Sequence, residues 1–402
     1  MPEVTLGDHV VIEGRSVPPT KMGNDVVAVM SLPAYDNWET PEISDPMEIG
    51  SAKSKVLEPC VLVSKLNPRI PRVWYVPEVT SSLYASPEFL QIRPSDNSIE
   101  LRFLYYVLLS STKELARSVR GTTGSHQRIG REDILRLRFQ KPDMTEQINI
   151  SAKLGALDDK IASNRRKIRL LEDLGSTLVA EELVLDEFGM PIFDGTLGAR
   201  LTVLETGSRP RGGVSEITEG IPSLGAENIQ SAGVMSSTAL KFVPDGFALQ
   251  MRRGHLVDED ILVYKDGGKP GNFVPHVSAY GHGFPTERAT INEHVYRVRG
   301  GGGVSQALLY WLLQTPWMNL EMRKRGTGVA IPGLNMSNFR ELPFPELSAD
   351  RLEMLCKTLD PMLTLMLRLG KQNLRLEVLR DALLPEFLSG RFWLPEATEG
   401  LK

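Results

Sequence analysis

The stretch RGTTGSHQRIG, Arg120 to Gly130, places two arginines around a run of glycines and hydroxyls, and RGTGVAIPGL, Arg325 to Leu334, repeats its opening. Glycines let backbone amides approach an anion, Thr122, Thr123 and Ser125 supply hydroxyl donors beside His126, and Arg120 and Arg128 supply charge. The second copy offers Arg323, Lys324 and Arg325 ahead of Gly326, Thr327 and Gly328. This kit suits phosphates and base edges. A helix end accounts for the glycines equally well, because a helix stop favours glycine and its last turn favours basic residues. Capping does not require the Thr, Ser, His and Arg that follow. Further candidate contacts are Lys65, Arg69 and Arg72 in SKLNPRIPR, Arg209 and Arg211 in TGSRPRGG, Lys265 and Lys269 in YKDGGKPG, and Arg15 in EGRSVPP, which corresponds to Arg209. Arginine commonly reads guanine edges, whereas lysine is more often a pure phosphate contact.

Catalytic chemistry finds no footing. KDGGKPG, Lys265 to Gly271, has the glycines of a phosphate cradle but lacks the GK[ST] ending and spacing of a P-loop. His255, His276, His282 and His294 share a region without metal-ligand spacing, and satisfied surface or core histidines explain them. Asp158 and Asp159 are adjacent in a helical pattern, where neighbours point in different directions, so they form no acid/base dyad. No aromatic, glycine-rich methyl-donor loop is present. Cys60 and Cys356 lie too far apart for a CxxC motif and read as small apolar core residues. The 402 residues carry a formal net charge of −4, which does not advertise a nucleic-acid binder. From Arg102 to Lys141, however, nine basic residues face three acidic ones, enough to give one surface a positive potential. No apolar run is long enough to span a membrane, and MPEVTLGDHV lacks a signal pattern, so a cytoplasmic location is expected.

These loops belong to an internal repeat. A shift of 205 residues carries Arg120 onto Arg325, LYYVLLSS from Leu104 onto LYWLLQTP from Leu309, and Ile134, Leu137 and Phe139 onto Phe339, Leu342 and Phe344. Upstream, VLVSK at 61 falls on ILVYK at 261, and LGDHV at Leu6 on LGARL at Leu197. The drifting offset marks insertions in loops. After each loop comes a heptad-like stripe: Leu154, Leu157, Ile161, Asn164, Ile168, Leu171, Gly175 and Leu178 in the first copy, and Leu359, Met362, Met366, Leu369, Asn373, Leu376, Arg380 and Leu383 in the second. Two register-matched seams invite pairing with each other. Asp143 with Glu146 predicts a cap for the first helix and Ser348 one for the second, while Pro361 predicts that the second is kinked there or begins near it. The pattern therefore predicts a globular domain over 1–143, a helix over 144–188, a second domain over 189–347, and a helix and tail over 348–402. Apolar runs at 26–30, 61–65, 73–76 and 261–264 read as strands, with one helix over 99–119 and its counterpart over 304–325.

With LGALDDKIASNRRKIRLLEDLGSTLVAEEL after the first loop and LGKQNLRLEVLRDALLPEFLSGR after the second, the layout resembles the specificity subunit of type I restriction-modification systems over almost the whole chain. One departure is Glu58-Pro59-Cys60 where the second copy has Asp258-Glu259-Asp260. The resemblance implies an α+β fold: two mixed α/β target-recognition domains separated by two long helices that form an antiparallel coiled coil, in a pseudo-two-fold repeat. Each domain would read one half of a split, asymmetric site on double-stranded DNA. The helices would dock two methyltransferase subunits, and an endonuclease/translocase subunit would join them. The chain itself would be non-catalytic, with S-adenosylmethionine, ATP and magnesium belonging to the partners. A helix of about 34 residues spans ~50 Å at ~1.5 Å rise per residue, or about 15 base pairs of duplex. The alternative reading of the same layout is a protein-interaction scaffold that carries two duplicated binding domains on a coiled-coil spacer.

Overall fold

The structure, a computed structural model, describes residues 2–391 except 24, 37, 118–126, 235–239, 270–271, 282 and 327–332; at 268, 269, 272 and 273 it describes the backbone alone. The chain divides into two compact units, Met1–Asp159 with Leu376–Lys402, and Lys160–Arg375.

The first unit is organised by CVLVS, Cys60–Ser64, a strand buried along its whole length. Such a strand sits inside a sheet, and here the antiparallel order is Val10–Glu13, Phe89–Pro94, Cys60–Ser64, Val73–Val76. The helix Leu101–Ser110 packs Phe103, Leu104, Tyr106 and Leu108 into the core, together with Val61, Val63 and Ile92 of the sheet. Glu100 caps that helix by accepting from the amides of Arg102 and Phe103 at 2.9 and 2.6 Å. A second sheet runs Arg15–Val17, Lys53–Lys55, Leu83–Ala85, Val27–Met30, Glu42–Ser44, with a parallel pairing between Leu83–Ala85 and Val27–Met30. Trp74 and Phe89 pack edge to face in the smaller core that joins Leu62 to Met30 and Leu83.

The second unit repeats the frame. Leu201–Thr206, Val295–Gly300, Ile261–Tyr264 and His276–Ala279 form an antiparallel sheet of the same order, and the helix Gln306–Gln314 packs on it, capped by the Ser305 hydroxyl. Its second sheet is smaller: Lys241–Val243, Ile221–Leu224, Thr290–Ile291. The duplication extends to single bonds. The Leu6 amide donates to the Leu137 carbonyl at 2.8 Å in one unit, and Leu197 to Leu342 at 2.7 Å in the other.

The long helices run Met144–Glu182 and Ala349–Leu388, with the expected caps: the Glu146 amide donates to Asp143 Oδ1 and the Arg351 amide to Ser348 Oγ. Within each unit their pairing is antiparallel. In the first, Lys153 lies over the Phe387 ring and Arg380 bonds Asp158 at 2.9 Å. In the second, Asn164 Nδ2 donates to Asn373 Oδ1 at 2.9 Å and Gln372 Oε1 at 2.8 Å, while Arg351 pairs with Glu182. The two seam asparagines therefore meet, which only one register and orientation allows. The apolar face is wider than the heptad seam, since Leu363, Leu367, Leu384 and Phe387 are also buried.

Several expectations are corrected. The second helix begins at Ala349 and continues through the exposed Pro361, whose missing N–H falls on the outer face. The single helices expected over 99–119 and 304–325 are each broken: Leu101–Ser110 gives way to Thr112–Arg117, and Gln306–Gln314 to Pro316–Arg325. Thr315 cannot stay helical before a proline, adopts ψ 145°, and caps the new helix through its hydroxyl. The compact units cut through both long helices, so residues 144–159 and 376–388 pack with the first unit. Cys60 is core, its thiol pushed up to about 12 by burial. Cys356 is only half-buried, on the second long helix, with its thiol near the Gly303 carbonyl.

Candidate nucleic-acid interface

In the first unit the loop after Cys60–Ser64, the start of Phe89–Pro94 and the exit of the first glycine-rich loop converge. The Lys65 amide donates to the Glu88 carbonyl at 2.8 Å, the Ile129 amide to the Lys65 carbonyl at 3.0 Å, and Leu66 bridges Arg128. In the second unit Lys265 donates to the His294 carbonyl at 3.1 Å, Leu334 to the Lys265 carbonyl at 2.7 Å, and Asp266 bridges Gly333. The pairs 65 and 265, 88 and 294, 128 and 333 are thus equivalent, and both candidate loops end at the same crossing of the duplicated frame.

Of the candidate contacts, Arg120, Thr122, Thr123, Ser125, His126 and Thr327 lie outside the described residues, as does the Lys269 side chain. Arg128 is 57% exposed and pairs with Glu88 Oε1 at 3.2 Å. Lys65 is half-buried and Arg69 exposed beside it, and neither is ion-paired with a described residue. Arg72 is committed elsewhere: its guanidinium holds Asp36 through two bonds of 2.8 and 2.7 Å. Arg15 is exposed on its strand at the mouth of a concavity of about 430 Å³ that Lys55, Arg93 and Arg131 also line, and it does not join the crossing.

In the second unit Lys265 Nζ pairs with Asp266 at 2.8 Å and lies over the Tyr296 ring, Arg209 approaches Glu293 at 3.3 Å, and Arg211 is exposed. Lys324 and Arg325 both pair with Glu321, and Arg323 is exposed. Burial pushes the Glu321 carboxyl up, but the Arg325 and Lys324 bonds outweigh it and hold it below its ordinary range. Gly326 closes that helix with φ −61°, so the left-handed freedom of glycine is not what the cap uses.

The counter-charges Asp36, Glu88, Asp266, Glu293 and Glu321 escape a sequence search aimed at cations. Glu88 and His294 were findable, since aligning Phe89 with Val295 superposes them. The units also differ behind the crossing. Asp260, fully buried, joins Arg297 and Arg299 at 2.6 Å each, where the first unit has Cys60 and a neutral Gln91 bonded to Ser54. This is the departure at Glu58-Pro59-Cys60, and it lies inside the sheet. No group of three or more metal-ligating side chains occurs among the described residues, and no described helix is long and apolar enough to cross a membrane.

Residues 37–173 match the family described as the type I restriction modification DNA specificity domain. Over that stretch the chain resembles the type I specificity subunits. It is 26% identical over 140 residues to the type I restriction enzyme HindI specificity subunit of Haemophilus influenzae, an alignment spanning 34% of this chain and 30% of that relative. The crystal structure of a type I restriction-modification S subunit from M. genitalium superposes with a TM-score of 0.53 at 15% identity, covering 96% of each chain. The HsdS subunit from Thermoanaerobacter tengcongensis gives a TM-score of 0.39 at 17% identity, covering 97% of each. The matched stretch takes in three of the four strands of the first unit's main sheet, its crossing, and much of the first long helix.

Proposed function

We propose that this chain is the DNA-reading subunit of a type I restriction-modification complex, each recognition domain contacting one half of a split target. The observation that carries the reading is the crossing written twice with the same main-chain bonds, once inside the matched specificity domain and once outside it. A duplicated frame that ends a basic loop in the same place twice is what two half-site readers require, and a protein-interaction scaffold has no need of it. Lysine and arginine at the loops would fix the register on phosphates while other side chains read base edges. The chain would act by binding alone, in the cytoplasm of a bacterium or archaeon. Two methyltransferase subunits would dock on the paired long helices, and an endonuclease/translocase subunit would join that assembly. S-adenosylmethionine, ATP and magnesium would serve the partner subunits.

Co-expression of the chain with its methyltransferase subunit, followed by genome-wide mapping of methylated bases, tests this. A bipartite methylated motif with an unspecified spacer is expected. Random or absent methylation from a folded, assembled complex would refute it.

A further inference from the structure

At the crossing the two units repeat their backbone and change their side chains. In the first unit Glu88 stands there with Arg128 on its Oε1, while Glu88 Oε2 is shielded from water and has no hydrogen-bond partner among the described residues. In the second unit the equivalent residue is His294, 42% exposed, with Nδ1 2.9 Å from Asp266 Oδ2 and Nε2 3.4 Å from Glu293 Oε1. There, too, one carboxylate oxygen is shielded and lacks a hydrogen bond among the described residues, Glu293 Oε2, with Arg209 standing 3.3 Å away. We propose that residue 88 in the first unit and residue 294 in the second are equivalent specificity-determining positions, each setting the preferred base pair at one place in its own half-site. The inference rests on the DNA-reading function proposed above.

Three physical points support it. First, the position accepts a backbone bond from the Lys65 or Lys265 amide, and that lysine's carbonyl is held in turn by the loop exit at Ile129 or Leu334. A reader needs this fixed placement, because a base edge discriminates only against a donor or acceptor that cannot drift. Second, the surroundings suit a duplex. Lys65 and Arg128 stand at the crossing in the first unit and Lys265 in the second, where Arg209 approaches Glu293, and cations of this kind position a backbone without selecting sequence. Third, the Glu88 side chain is 27% exposed, and a carboxylate accepts from the amino groups of cytosine and adenine in the major groove. Arg128, beside Glu88, supplies the complementary donor for a guanine edge.

The two units therefore offer different chemistry in one geometry. The first presents an acid beside an arginine. The second presents an imidazole whose Nδ1–H donates to Asp266, leaving Nε2 near Glu293 as the ring's remaining polar atom. A symmetric frame with unlike readers selects an asymmetric target.

The experiment uses the full chain co-expressed with its methyltransferase subunit, with methylated positions mapped genome-wide. Wild type reports on the function itself: no split motif would sink that reading and this one with it. Given a split motif, Glu88→Gln should relax one position in one half, raising methylation at sites mismatched there by about ten- to a hundred-fold, and leave the other half unchanged. His294→Gln should relax a position in the other half only. Glu219→Gln, an exposed change away from the crossing, should alter neither. Should Glu88→Gln abolish methylation by misfolding, Arg128→Gln probes the same place without touching the carboxylate, and relaxation in the first unit's half alone supports the proposal. Variants that methylate with both halves intact, or that relax both halves together, overturn the proposal while the DNA-reading function stands.

Discussion

Asn164 and Asn373 are the residues through which the seam of the second unit states its orientation, and their exchange gives a quantitative test. In the repeat frame Asn164 corresponds to Leu369 and Asn373 to Ile168, so each can be replaced by its own counterpart: Asn164→Leu and Asn373→Ile. Asn164 is fully buried and Asn373 is 7% exposed. Asn164 Nδ2 serves both Asn373 and Gln372, so Asn164→Leu strips two acceptors of their donor, whereas Asn373→Ile leaves Asn164 one bond, to Gln372. An orphaned buried polar group costs about 1–3 kcal/mol, while replacing both partners by apolar groups of similar shape is close to neutral or stabilising. The first single variant should therefore lose more stability than the second, and the double should recover most of the loss. That pattern corresponds to a coupling of roughly 1–3 kcal/mol in a double-mutant cycle. Urea unfolding of the four proteins, followed by circular dichroism, measures it. If the double loses the plain sum of the singles, the asparagines do not act as a pair and the orientation argument built on them fails.

Three further outcomes follow from the geometry. Gly175 lies on the first long helix against the Trp311 ring, leaving no room for a Cβ without displacing the indole; Gly175→Val should lower stability by about 1–3 kcal/mol or more and change Trp311 fluorescence, and a silent substitution would contradict the packing. Burial raises the Glu172 carboxyl above its ordinary 4.5, against the Tyr310 hydroxyl and Gln314 bonds that lower it. A raised folded value means stability that is full below 4.5 and lost as pH rises through the folded value, so Glu172→Gln should flatten that decline in denaturant titrations between pH 4 and pH 7, the range being set by the ordinary value of 4.5. Replacing both Arg120 and Arg128 by Ala should weaken duplex binding and reduce its logarithmic salt slope by about 2; an unchanged slope in gel shifts would leave the loop with its capping role alone.

The duplication and the long helices were legible because both are periodic properties of the chain. Fixed shifts and heptad spacing survive substitution of individual residues, and the runs at 73–76 and 261–264 became strands with those bounds. The helix break at Thr315 was also written plainly, in the proline that follows it, but the strong apolar continuity of LYWLLQTPWM hid it. The interface was far less legible. Whether a cation is available to DNA depends on a carboxylate brought in from elsewhere: Asp36 reaches Arg72 and Glu88 reaches Arg128 across 36 and 40 residues of chain. No local spacing rule carries that information. Arg72 and Arg69 look alike in SKLNPRIPR, yet one is clamped and the other exposed.

Membership of the last helical turns in the first unit has a consequence for the order of events at the ribosome. Leu384 and Phe387 are 5% and 7% exposed in the core that also holds Ile150 and Leu154, yet they are translated after the entire second unit. The first unit must therefore wait, incompletely closed, until Phe387 has been made, while the second unit is finished earlier. A chain stopped near residue 376 would keep the later-made unit whole and cripple the earlier one.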